Sequence, residues 1–153
     1  MTPQTQVIEG LNGLLADAAV FHYKLHNFHW NVRGPNFFTL HDRFEALYNE
    51  WSSAMDELAE RVLALGGAPI HTLASALDLA VIREEPKTID AEAMVAATVR
   101  DLRASADRMR SVSEAAQQSG DKTTENLLDE FIDSTAKHIW MLQAYLGKSA
   151  TDD

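Results

Sequence analysis

At 153 residues the chain holds one domain with a substantial core and is too short to suggest two, so residues 1–153 are read as a single domain. Hydrophobic residues at 46% and charged residues at 24% exclude a disordered or membrane-embedded chain, and no apolar run approaches the roughly 20 residues that span a bilayer. A net charge of −10 argues against nucleic-acid binding, and zero cysteines leave only nitrogen and oxygen ligands for any metal.

The N-terminal stretch MTPQTQVIEG lacks the basic and apolar regions of a signal peptide, which predicts a cytoplasmic protein. Val7, Leu11, Leu14, Leu15, Ala18, Phe21, Leu25 and Phe28 then recur at steps of three and four, predicting a first amphipathic helix that stops near Gly34-Pro35. A second begins between Asn36 and Thr39 and carries Leu40, Phe44, Leu47, Trp51, Met55, Leu58, Val62 and Leu65 up to Gly66-Gly67. Residues 68–87 hold two of the four prolines and one short helical piece, ASALDLA, and form the long connection. Thr88 or Asp90 caps a third helix that runs to about Ser119. After Gly120 a fourth runs through Leu127, Leu128, Phe131, Ile132, Ile139, Trp140, Leu142 and Leu146 to Gly147. Four long helices with two tight links and one long crossover between the second and third predict an all-α, ferritin-like four-helix bundle with a short helix in the crossover.

A di-iron site inside such a bundle needs Glu-x-x-His pairs, and none of the six histidines has a glutamate three positions before it. The second helix offers another arrangement. His41 with Glu45, and Asp56 with Glu60, are pairs four apart that fall at about 0°, 40°, 60° and 100° around the helix, a single stripe. Glu45 and Asp56 lie roughly 16 Å apart along the axis, too far for one metal centre within one chain. The midpoint of 41 and 60, like that of 45 and 56, falls halfway between Glu50 and Trp51. Two copies of this helix crossing antiparallel about a two-fold axis there would bring His41 and Glu45 of one against Asp56 and Glu60 of the other, twice per dimer. His29, just across the Gly34-Pro35 turn, could add a second imidazole, giving a set suited to Fe(II), Mn(II) or Zn(II). Taken singly, each pair also reads as an ordinary solvated face.

The segments HWNVRGPNFFTLHDRFE and MDELAERVLALGGAP resemble the two signature stretches of the Dps family, the miniferritins, and KHIWMLQAYLG resembles that family's last helix. The resemblance covers nearly the whole chain. It implies a hollow dodecamer built from two-fold dimers that oxidises Fe(II), usually with hydrogen peroxide, and stores ferric mineral, protecting against oxidative damage. The family's di-iron ligands fall on His29, His41 and Glu45 of one subunit and Asp56 and Glu60 of its two-fold mate. Members commonly carry Asp where this chain has Glu45. Trp30 and Trp51 are candidate sinks for stray oxidising equivalents, although Trp51 reads more readily as a packing residue, as do His22 and His26. Asp121, Glu125 and Asp129 recur every four residues where the family's acidic three-fold pores lie, and read either as an iron-entry funnel or as a solvated helix start. Two other classes compete. DNA compaction in the family uses basic tails, which this chain lacks, so direct DNA binding is not expected. A shell with a structural or signalling role would not require the ligand set.

Overall fold

The computed structural model describes residues 1–153 as five helices and no strand: α1 (Pro3–Asn31), α2 (Phe37–Ala64), α3 (Leu73–Leu79), α4 (Ala91–Ser119) and α5 (Lys122–Tyr145). Four of them, 24 to 29 residues long, form the bundle, and α3 is the short helix expected in the crossover. At 1.5 Å per residue these are rods of about 36–44 Å.

The boundaries have local causes. Thr2 caps α1 by accepting from the Thr5 amide at 3.2 Å, with Pro3 in the first turn where its missing N–H costs nothing. This starts the helix earlier than the apolar period, which begins at Val7. Asp90, rather than Thr88, caps α4 by accepting from the Ala93 amide at 2.8 Å. Gly66 and Gly120 take the left-handed conformation that ends α2 and α4, at φ of 82° and 74°.

α1 is the central rod, packed along α2 and α4, while α5 packs along α4. Phe21, Phe28, Phe44, Leu47, Leu58, Met94 and Leu102 are among the fully buried side chains that fill the interior. Two polar bridges also tie α2 to α5. At one end Arg61 donates to Asp121 at 2.7 Å and to the Thr124 hydroxyl at 2.8 Å. Further along, His138 Nε2 lies 2.5 Å from Glu50, which also accepts from Ser134. No helix is long and apolar enough to cross a membrane.

The crossover is latched to α1 by polar side chains. Asn12 donates to the Ala68 carbonyl and accepts from the Ile70 amide, both at 3.0 Å. Asp17 accepts from the Val81 amide at 2.8 Å, Lys24 donates to the Arg83 carbonyl at 2.7 Å, and Asn27 donates to the Glu85 carbonyl at 3.2 Å. The same Asp17 pairs with Arg108 of α4 at 2.9 Å, and Lys24 makes a 2.7 Å ion contact with Asp101. Burial raises the carboxyls of Asp17 and Asp101 above the ordinary range despite these cations.

Candidate metal centre

α1 ends and α2 begins across a five-residue link, 32–36, in which Gly34 takes φ 116°. This tight return sets the last turn of α1 beside the first turns of α2, so His29 and His41, twelve positions apart, meet face to face. Their rings stack at 3.7 Å between centroids with 16° between planes. Each donates to the backbone of the other: His29 Nδ1 to the His41 carbonyl at 2.7 Å, and His41 Nδ1 to the His29 carbonyl at 2.8 Å. A carbonyl only accepts, so both Nδ1 atoms carry a proton, and a neutral ring in this arrangement keeps its lone pair on Nε2. That tautomer leaves Nε2 open to a metal ion, and the two carbonyls set it without any metal.

The carboxylates occupy a different environment. Glu45, Asp56 and Glu60 are exposed, and none of them forms an ion pair within the chain. The buried residues of α2, from Leu40 and Phe44 through Leu58 and Val62, lie at about 220° to 300° on a scale that puts His41 at zero, so the stripe at 0° to 100° points away from the core. Arg61, a nearby cation in sequence, is drawn off to Asp121. No three His, Asp or Glu side chains within one chain converge to hold a metal ion. The structure therefore brings His29 and His41 together, leaves Glu45 one turn away, and holds Asp56 and Glu60 further along the same outward face.

Tyr48 is a neighbour that the ligand arithmetic did not single out. Its hydroxyl donates to Glu45 Oε1 at 3.2 Å, its ring stacks on His26 at 3.7 Å, and its edge meets His29 at 5.3 Å. Desolvation, reinforced by the Glu45 carboxylate, holds the phenol above its ordinary pKa, so it stays protonated. The signal was present in the sequence: position 48 falls about 20° from His41 around the helix. His26 fixes its own ring by donating from Nδ1 to the His22 carbonyl at 2.8 Å.

The remaining candidates separate clearly. Trp30 is 58% exposed on this chain, beside Tyr23 and His26. Trp51 is instead turned into the bundle, edge-on to Phe21 at 5.0 Å. Asp121 serves as N-cap of α5 as well as the partner of Arg61. Burial raises its carboxyl, but Thr124 and Arg61 outweigh this and hold it below the usual range. Glu125 lies 3.3 Å from Lys122, and Asp129 is exposed without an ion-pair partner.

Residues 8–151 match the family described as a ferritin-like domain. The chain is 45% identical to DNA protection during starvation protein 2 of Bacillus anthracis, over 94% of its own length and 98% of that protein. It is 42% identical to general stress protein 20U of Bacillus subtilis, over 93% and 98% of the two chains. Among solved structures it superposes on a Dps protein from Bacillus brevis with a TM-score of 0.93 and 44% identity, covering 94% and 97% of the chains. The Dps of Staphylococcus aureus gives the same TM-score at 42% identity, covering 95% and 98%.

Proposed function

Because the chain belongs to the Dps branch of the ferritin-like family, we propose that it is a cytoplasmic miniferritin. In this reading it oxidises Fe(II) with hydrogen peroxide at sites shared between two-fold mates and stores the ferric product inside a hollow dodecamer. One observation carries the proposal: two imidazoles locked as metal-ready tautomers stand at one end of an acidic stripe that faces outward and finds no counter-ion within the chain. His29, His41 and Glu45 of one subunit with Asp56 and Glu60 of its mate would complete a nitrogen- and oxygen-rich set that favours Fe(III) over Fe(II) and eases electron loss. The reaction balances as two Fe(II), one H2O2 and two protons giving two Fe(III) and two water molecules, so no hydroxyl radical leaves. Of the candidate entry carboxylates Asp121, Glu125 and Asp129, Asp129 is the one left without an ion-pair partner, since Asp121 caps α5 and pairs with Arg61 and Glu125 lies beside Lys122.

The complementation of two damaged chains tests the shared site. His41→Ala and Asp56→Ala homodimers each lose a ligand from every site and oxidise Fe(II) poorly. In a co-refolded heterodimer one site collects both lesions and the other is intact, so random pairing restores about a quarter of all sites. Verified heterodimers without recovered activity would refute the intersubunit centre. Saturable Fe(II) binding by isothermal titration separates this reading from a shell with a purely structural role.

Relatives are named for DNA protection, and this chain would protect by removing Fe(II) and peroxide rather than by covering DNA. With 13 basic against 23 acidic residues, plasmid should migrate unretarded with the protein at physiological salt.

A further inference from the structure

We propose that the cavity between α2 and α5 binds a short aliphatic diamine, a hydrocarbon chain with an ammonium group at each end. The cavity holds about 270 Å³ and lies between the two bridges that join these helices, the Arg61 bridge at one end and the Glu50 bridge at the other. Leu14 of α1, Leu58 of α2, Met109 of α4 and Phe131 of α5 give it an apolar floor. Glu50, Glu57 and Glu130 give it three carboxylates, and no lysine, arginine or histidine lines it.

On the scale that puts His41 at zero, Glu50 and Glu57 fall at about 180° and 160°, between the outward stripe and the buried face. They belong to neither the ligand pairs nor the core. Seven positions separate them, roughly 10 Å along the axis, with Ala54 on the cavity wall between. Glu57 and Glu130 form no ion pair, because the nearby cations are engaged elsewhere: Arg61 with Asp121 at 2.7 Å, Lys122 with Glu125 at 3.3 Å and Lys137 with Asp133 at 3.4 Å. The His138 hydrogen bond holds Glu50 below the ordinary carboxylate range against the effect of burial, so it is ionised. Glu50 accepts from His138 and Ser134 and keeps further lone pairs for an ammonium.

Thr135 is an independent sign of a missing partner. It lines the same cavity and is only 4% exposed, yet its hydroxyl makes no hydrogen bond within the chain. The other two buried threonines are bonded, Thr98 to the Met94 carbonyl at 2.8 Å and Thr124 to Asp121. Unlike Thr98, Thr135 is not turned back onto its own helix. A buried hydroxyl without a partner is costly, and an ammonium supplies the donor that its oxygen accepts. A bare metal ion suits the cavity poorly, since half of the lining is apolar and no three His, Asp or Glu side chains converge there. A neutral apolar guest would leave the carboxylates and Thr135 uncompensated. A diamine lays its methylenes on the floor and places one ammonium at Glu57, Glu130 and Thr135 and the other at Glu50.

Isothermal titration of the assembled, metal-free protein with 1,5-diaminopentane tests the site. Binding should saturate, and 1,2-diaminoethane, which has the same charge and is too short to bridge the two ends, should bind at least about tenfold more weakly, as should Mg(II). Thr135→Val keeps the shape and every charge and should weaken the diamine about tenfold, while Thr135→Ser restores it. Glu57→Gln and Glu130→Gln, both at exposed positions, should each weaken it about fivefold. No saturable heat overturns the site. Equal affinity for 1,2-diaminoethane or Mg(II) also overturns it, by showing only diffuse attraction to an acidic surface. Wild-type affinity in the Val variant does the same. If the Val variant does not assemble, the two Gln variants decide, and unchanged affinity in both overturns the site. None of these results bears on the ferroxidase reading, whose ligands lie outside the cavity.

Discussion

Two polar regions of α1 contrast sharply. Along the crossover, Asn12, Asp17, Lys24 and Asn27 are satisfied within the chain, by backbone groups of residues 68–85, by the buried Asp101 and by the half-buried Arg108. At its C-terminal end, His29 and its partner His41 satisfy only one nitrogen each, and the carboxylates that continue the face on α2 are left in solvent. Charged groups that close on one another inside a chain serve the fold, because burying them unpaired would be prohibitive. Polar groups held rigidly with unused lone pairs are positioned for something that arrives later.

Lys24→Met should have the largest effect on that contrast, because Lys24 and Asp101 are 4% exposed each and the change leaves a buried carboxyl without its cation. The expected loss is about 3–5 kcal/mol in a urea titration, and a second change, Asp101→Leu, should recover much of it. Asp56→Ala should behave oppositely, lowering Fe(II) affinity by at least about 10–100-fold in isothermal titration while moving stability by less than about 0.5 kcal/mol. A large stability loss there would place Asp56 in the fold instead. Asp90→Ala, outside both regions, removes only the α4 cap and calibrates the scale at about 1 kcal/mol of thermal stability.

The smallest effect concerns Glu50. Its hydrogen bond to His138 holds its carboxyl below the ordinary range, although burial opposes this. A carboxyl depressed in the folded state adds stability above its unfolded pKa, and that contribution is lost as pH falls through the folded value. Glu50→Gln should therefore flatten the acid side of the stability curve, by less than about 1 kcal/mol because the side chain is 42% exposed.

Most of the bundle was legible because large apolar residues repeat at three and four, and because Gly66 and Gly120 sit where left-handed caps are needed. The outward stripe was legible for the same reason, since helical phase is arithmetic. What escaped depends on distance along the chain. Asp17 and Lys24 look like ordinary interruptions of an amphipathic helix until residues some 60 to 90 positions away fold over them. By phase Asp121 is one acid of three, but its place before the first helical residue gives it a capping duty that phase does not reveal. Trp51 shares the buried face with Leu47 and Leu58, and its packing partner turned out to be Phe21 of the same chain. Tyr48 had the right phase, yet a phenol is easily passed over when the search is confined to metal ligands.

The reciprocal clasp between His29 and His41 has a consequence for how this gene can change length. Exposed turns with Gly and Pro usually tolerate added residues well, and residues 33–36 look like such a turn. Here the two hydrogen bonds close the chain into a ring whose circumference is set by the link, and an extra residue that extends α2 at its start would rotate that helix's new first turn by about 100° relative to α1. Both imidazoles would lose their carbonyls at once, and the open nitrogens would no longer share a direction. Insertions in this short stretch should therefore be as rare as insertions within a helix, while the exposed residues 86–88 of the crossover, which no such ring closes, should accept them.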